Sequence, residues 1–256
     1  MNSFHSLEKK IENAEDLVFS SLFDSIIELF KKVWLKGLLT ILLIIVVAIG
    51  TNILFSLIGL APKQNFIFND FDFDSFYSFY SETIIYSIPQ TILVSMMTMA
   101  FVAAFYRICK QHVLGGNVVD DYFYFLNKQY FSKLLMLGII HTGIAVVAQF
   151  LFIIPYIYVF VPLSYFTVIF ANNPDLSEME IVKASFKLGN KKWLITFGTM
   201  FVTGVIGMLG IIACGIGVLF TMSIVYLPVF FIYMEVVGFE SNNEIEKIGI
   251  KDDSDF

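Results

Sequence analysis

Apolar runs too long for the core of a soluble domain dominate this chain of 256 residues. A helix needs about 20 apolar residues to cross a hydrocarbon layer of about 30 Å, because each residue advances only about 1.5 Å. Six stretches approach or exceed that length: 34–60, 83–107, 134–154, 156–171, 194–213 and 218–236. In lipid, backbone N–H and C=O groups have to be satisfied inside the structure, so such stretches predict helices and not open strands. The expected fold is all-α, a polytopic transmembrane bundle of six helices. Charged residues make up 15% of the chain against 57% hydrophobic, which leaves no soluble domain of useful size. Three parts are expected: a cytoplasmic N-terminal amphipathic segment (1–33), the membrane domain (34–238) and an acidic cytoplasmic tail (239–256).

Two of the apolar runs need splitting, and charge decides how. Residues 134–171 are interrupted by Pro155 and Pro162, and residues 194–236 by Gly215 and Gly217. Arg107, Lys110, Lys128 and Lys133 precede the first run; Lys183, Lys187, Lys191 and Lys192 follow it. Lys and Arg collect on the cytoplasmic side of a membrane, so both flanks belong together and the run between them has to be a hairpin. The same rule puts every one of the 16 Lys and Arg residues inside except Lys63, with both termini in the cytoplasm. The first apolar run begins only near Trp34, after mixed charge, so no cleaved leader is expected. The expected location is the inner (plasma) membrane.

The three resulting hairpins share a boundary signature. Segments 23–34, 121–130 and 181–193 each combine amphipathic character with a basic and aromatic end, and each leads at once into an apolar span. Trp34, Tyr130 and Trp193 are the expected interface anchors, with Lys191 and Lys192 reaching toward headgroups. The bundle is therefore expected to be three repeated helical hairpins, each preceded by a cytoplasmic amphipathic helix. In the third segment Ser177 and Glu180 fit a capping box and Gly189 fits a helix stop. Ile181, Val182, Ser185 and Leu188 then share a side, which either lies in the interface or packs on the ends of the spans.

The run from Ala184 through Lys187, Gly189, Lys191 and Lys192 to Trp193, followed by a Gly-rich hairpin, resembles a group of bacterial six-span membrane proteins. That group includes the membrane domain attached to some glycerophosphodiester phosphodiesterases. The resemblance is specific over 175–236 and general elsewhere. It implies a hairpin-repeat membrane fold; it does not imply phosphodiesterase activity, because the soluble catalytic domain of those proteins has no counterpart in these residues.

His141 is the one ionisable side chain well inside a span, and Thr142 and Gln149 can share a polar patch with it. Either interhelical hydrogen bonding or a ligand or proton role fits. Thr199, Thr203, Gly207, Gly210 and Cys214 form a narrow stripe of small side chains, suited to close helix packing or to a groove. Asp120 and Asp121 read as first-turn charges of a helix capped by Asn117, since no second acidic pair faces them to hold a metal diphosphate. The Asp and Phe alternation at 69–74 suits an interfacial segment, with calcium as the alternative. His5, His112 and His141 are too dispersed for an iron site, and Cys109 and Cys214 fall at opposite faces. No catalytic, cofactor or metal set is expected. The expected partners are the lipid bilayer and other membrane-protein subunits; a net charge of −6 without a broad basic surface excludes nucleic acid. The leading functional expectation is a non-enzymatic accessory subunit or a factor in membrane or envelope organisation. The alternative is a transporter or flippase for an apolar or amphiphilic substrate.

Overall fold

A computed structural model describes residues 3–60, 73–116, 119–151, 153–212 and 217–239. Among these residues the chain is helical, with no strand. In order come α1 (Phe4–Glu12), α2 (Phe19–Leu57), α3 (Phe73–Leu114), a 3-10 turn (Tyr124–Leu126), α4 (Lys128–Phe150), α5 (Ile153–Asn172), α6 (Glu178–Lys191) and α7 (Trp193–Leu209). After α7 come a 3-10 turn (Gly210–Ile212), α8 (Gly217–Thr221), the 3-10 segment Met222–Tyr226 and α9 (Leu227–Val237). Five helical stretches among the described residues are long and apolar enough to cross a membrane, or six if α6 and α7 count as one span bent by 85°. The described residues are thus all-helical, and several of their helices are apolar and long enough to span a membrane.

The three boundary segments take three different backbone forms. Residues 23–34 contain neither Gly nor Pro, and α2 runs through them into the first span without a break. The second segment is a turn with a short 3-10 piece, after which α4 opens at Lys128. Only the third is a separate helix, α6, whose capping box is present as predicted: Ser177 Oγ accepts the Glu180 N–H, and Glu180 accepts the Ser177 N–H at 2.8 Å.

Two local expectations are corrected. The chain at Asp120 and Asp121 does not open a helix. Asp120 pairs with Lys36 of α2, and Asp121 accepts the Phe123 N–H at 3.0 Å, so both aspartates are spent on holding a turn. Gly189 does not stop α6, which continues to Lys191. It is needed for a different reason: a Cβ there would come within 2.6 Å of the Pro162 Cα on α5. The absent side chain permits a close helix crossing and not a left-handed turn.

Prolines shape the remaining elements through the N–H they lack. Pro155 sits in the first turn of α5, where no intrahelical donor is required. Pro228 sits in the first turn of α9, and the stretch before it winds as 3-10, so the last span is a broken helix. The core centres on α3, α5 and α9. Ala100, Ala103, Ala104 and Phe105 of α3 pack with Val161, Phe166 and Ile169 of α5 and Phe230 of α9, all buried.

At the Lys- and Arg-rich end, α6 lays its apolar face against the bundle, with Ile181, Ala184 and Leu188 fully buried. Helix α1 then packs on α6 and α9 through Leu7 and Ile11. Lys187 bridges Glu8 (3.1 Å) and Glu12 (2.7 Å). Lys191 and Lys192 donate to the backbone carbonyls of Glu12 and Glu15, and Lys192 is only 3% exposed. These two lysines, read from sequence as headgroup contacts, secure the N-terminal segment here. Lys63, Asn117, Cys214, the turn at 213–216, residues 69–72 of the acidic loop and residues 240–256 of the tail lie outside the described residues.

Candidate functional site: a largely apolar cavity between the helices

Polar side chains recur along one side of α3: Ser87, Thr91, Ser95 and Thr98, at the three- and four-residue spacing that stacks them on one helix face. Along α5, Tyr156, Ser164 and Thr167, eight and three residues apart, also share a face. These faces, together with α4, the upper part of α2 and the broken last span, line a half-open cavity of about 850 Å³. Its size falls in the range of small-molecule sites, roughly 300–1,000 Å³. The wall is mainly apolar and studded with hydroxyl and amide groups; no Asp, Glu, Lys or Arg belongs to it among the described residues.

His141, Thr142 and Gln149 all line this cavity, so the structure brings the predicted polar patch together. The His141 Nδ1 lies 3.2 Å from Ser95 Oγ across the α3–α4 contact, and its ring meets Phe166 edge-on at 5.9 Å. Hydrogen bonding between helices therefore engages one ring nitrogen. Thr142 Oγ1 is buried and has no hydrogen-bond partner among the described residues. A buried hydroxyl left unpaired costs about 1–3 kcal/mol, and with its residue only 2% exposed this oxygen is sealed behind the cavity wall. At the basic end of the cavity, Tyr106 of α3 donates to the Tyr226 carbonyl at 3.0 Å and closes the space between α3 and the 3-10 segment.

Asn52, Ser95, Ser164 and Thr167 also line the cavity and are not singled out by the sequence. Their signal was present, as polar residues at helical spacing inside apolar spans. Which faces would turn toward one another depends on packing and was not readable. Gln90 follows Pro89, which lies inside α3 and leaves a carbonyl one turn earlier without its helical donor.

The small-residue stripe of α7 is a packing face. Thr199 and Thr203 are buried and donate to carbonyls one turn back within α7, while Gly207 and Gly210 meet α8 and the 3-10 segment. A Cβ on Gly210 would collide with the Gly217 backbone, and the Gly207 carbonyl accepts the Thr221 hydroxyl at 2.6 Å. Among the anchors, Trp34 is 41% exposed beside Phe220, and Tyr130 joins a cluster with Tyr124, Phe125 and Phe170. Trp193 stacks on Phe197 and donates to the Tyr158 carbonyl at 3.0 Å.

Among the described residues no group of three or more His, Cys, Asp or Glu is placed to hold a metal ion. No protein-family model, curated protein or solved structure matches the chain.

Proposed function

We propose that this protein binds an uncharged amphiphilic molecule within the membrane and passes it between leaflets, as a transporter or flippase. The observation that carries this reading is the cavity around His141. Its apolar wall suits a hydrocarbon chain, its scattered hydroxyl and amide groups suit a neutral polar head, and it offers no counter-charge to an ion. The break in the last span and Pro89 in α3 provide points at which the wall can open. In this reading the chain is a six-span inner-membrane protein of bacterial type, with both termini on the basic, cytoplasmic side. It is built from three hairpin repeats, and it resembles the membrane domain of some glycerophosphodiester phosphodiesterases in that respect alone.

The test is reconstitution into phosphatidylcholine liposomes carrying a fluorescent alkyl glycoside, with dithionite added outside. Bleaching should proceed beyond the outer-leaflet fraction in vesicles holding the protein, and Ala145→Trp, which fills the cavity, should return it to the protein-free level. Bleaching confined to the outer leaflet in vesicles with correctly folded protein would overturn the transport reading.

A second reading, an accessory subunit, is favoured by one feature of α2. Leu35, Leu39, Leu42, Val46, Ile49, Ile53 and Leu57 form a continuous exposed apolar stripe, suited to lipid or to a neighbouring subunit. Gentle solubilisation and mass spectrometry distinguish the two, since recovery of the chain alone at stoichiometric purity removes the subunit role.

A further inference from the structure

At the basic end of the bundle, away from His141, a second pocket of about 400 Å³ lies between the ends of α3 and α5. Its floor and walls come from Arg107, Lys110 and Gln111 of α3, Tyr124 and Phe125 of the 3-10 turn, and Asn172 at the end of α5. We propose that this pocket binds a phosphate group, presented either by an anionic phospholipid or as a free phosphate species.

Arg107 carries the proposal. Its guanidinium lies 3.9 Å above the centre of the Tyr124 ring, a stacking that fixes the plane of the fork. Among the described residues it has no carboxylate partner and donates no hydrogen bond, so its five N–H donors remain for a ligand. A planar guanidinium held in this way suits the bidentate recognition of phosphate oxygens. Lys110 follows one turn later, over the Phe239 ring at 5.1 Å, and lines the same wall.

The surroundings of the pocket are built and not incidental. Lys133 donates to the carbonyls of Pro174 (2.6 Å) and Leu176 (2.7 Å), which pins the α5–α6 loop beside the pocket. Gln111 accepts the Val119 N–H at 2.9 Å, which leaves its amide donors for a phosphate oxygen. No acidic side chain belongs to the lining; Asp175, next to Pro174, is exposed. The C-terminal ends of α3 and α5 carry partial negative charge of about half a unit each, which opposes an anion and which the directed N–H donors of Arg107 have to outweigh. Basic pockets between spans at this level recognise anionic headgroups, and Leu114, Phe125 and Ala171 offer apolar surface to an attached chain.

The experiment uses the full chain in detergent, titrated with phosphatidylglycerol or phosphatidylcholine and read by native mass spectrometry, with inorganic phosphate as a separate arm read by thermal shift. Preference for phosphatidylglycerol is expected, with Arg107→Gln weakening it about fivefold. Lys183→Gln, an exposed lysine elsewhere at the same end, should leave it unchanged. If the lipid preference is present and unaffected by inorganic phosphate, the source is a headgroup. If instead inorganic phosphate stabilises the wild type and not Arg107→Gln, the source is free phosphate. Should Arg107→Gln fail to fold, Arg107→Lys, which keeps the charge but loses the bidentate fork, carries the same comparison. Absence of both preferences in the wild type, or their persistence at full strength in the folded variants, overturns the proposal. None of these readings depends on the cavity at His141.

Discussion

Helices α2 and α3 are the two longest in the chain, and they are used in opposite ways. In the most apolar window of α2 only 17% of residues are buried inside the protein, whereas in that of α3 the share is 61%. Yet α2 is the more apolar of the two. In water this would be an inversion, because apolar surface is driven inside. In a bilayer the lipid tails are as apolar as Leu, so the most hydrophobic helix is free to remain outside while small and polar residues bring the others together. Ala100, Ala103 and Ala104 let α3 approach its neighbours, and Ser87, Thr91, Ser95 and Thr98 give it a polar side toward the cavity.

The largest expected effect tests this contrast directly. Phe105→Ala in α3, at a fully buried position, should cost about 3–5 kcal/mol of stability. Val46→Ala in α2, 66% exposed, should cost little, and thermal unfolding of the two in the same detergent compares them. Equal losses would show that the outward face of α2 is covered by another protein surface. A smaller effect, about 1–3 kcal/mol, is expected from Gly37→Ala, because this is where α2 does touch the bundle and a Cβ would run into Ser223. If Gly37→Ala is silent, α2 is only loosely attached. Next comes Tyr106→Phe, which removes the hydroxyl bonded to the Tyr226 carbonyl and should cost about 1 kcal/mol. That loss should be accompanied by easier entry of an amphiphile into the cavity, read as faster bleaching in the liposome assay.

The smallest effect concerns the N-terminal segment that leads into α2. The hydrogen bond from Lys187, followed by its charge, holds the Glu12 carboxyl below its ordinary value of 4.5. The bond to Glu12, then that to Glu8, raises Lys187 above 10.5. For a depressed carboxylate the stabilisation is present above the unfolded value and is lost as pH falls through the folded one; for a raised lysine it is lost as pH rises through the folded value. Docking of α1 should therefore be retained across neutral pH and weaken below about pH 4.5 and above about 10.5. Limited proteolysis between α1 and α2 reads this, and Glu12→Gln should loosen α1 at neutral pH without lowering the global unfolding temperature. Unchanged cleavage across the acid range would mean that Leu7 and Ile11 hold α1 without help from the ion pairs.

Sequence alone determined the features that follow from short-range chemistry. Run length and backbone satisfaction in lipid predicted helices, and the Ser177–Glu180 capping box is a contact within one turn. His141, Thr142 and Gln149 were legible as a polar patch because each interrupts an apolar span. Tertiary structure decided everything that depends on which faces meet. Gly189 could be read as a stop or as a close crossing until Pro162 was placed against it, and Asp120 could be a helix-opening charge until Lys36 was found beside it. Lys191 and Lys192 carry the same charge whether they meet headgroups or the carbonyls of Glu12 and Glu15, residues more than 170 positions away. The cavity itself belongs to no single segment. Its polar groups lie on separate helices, and in a chain where lipid and protein are equally apolar, hydropathy does not reveal which sides turn inward. That choice was made by close packing of small residues and by hydrogen bonds such as those of Ser95 with His141 and Tyr106 with Tyr226.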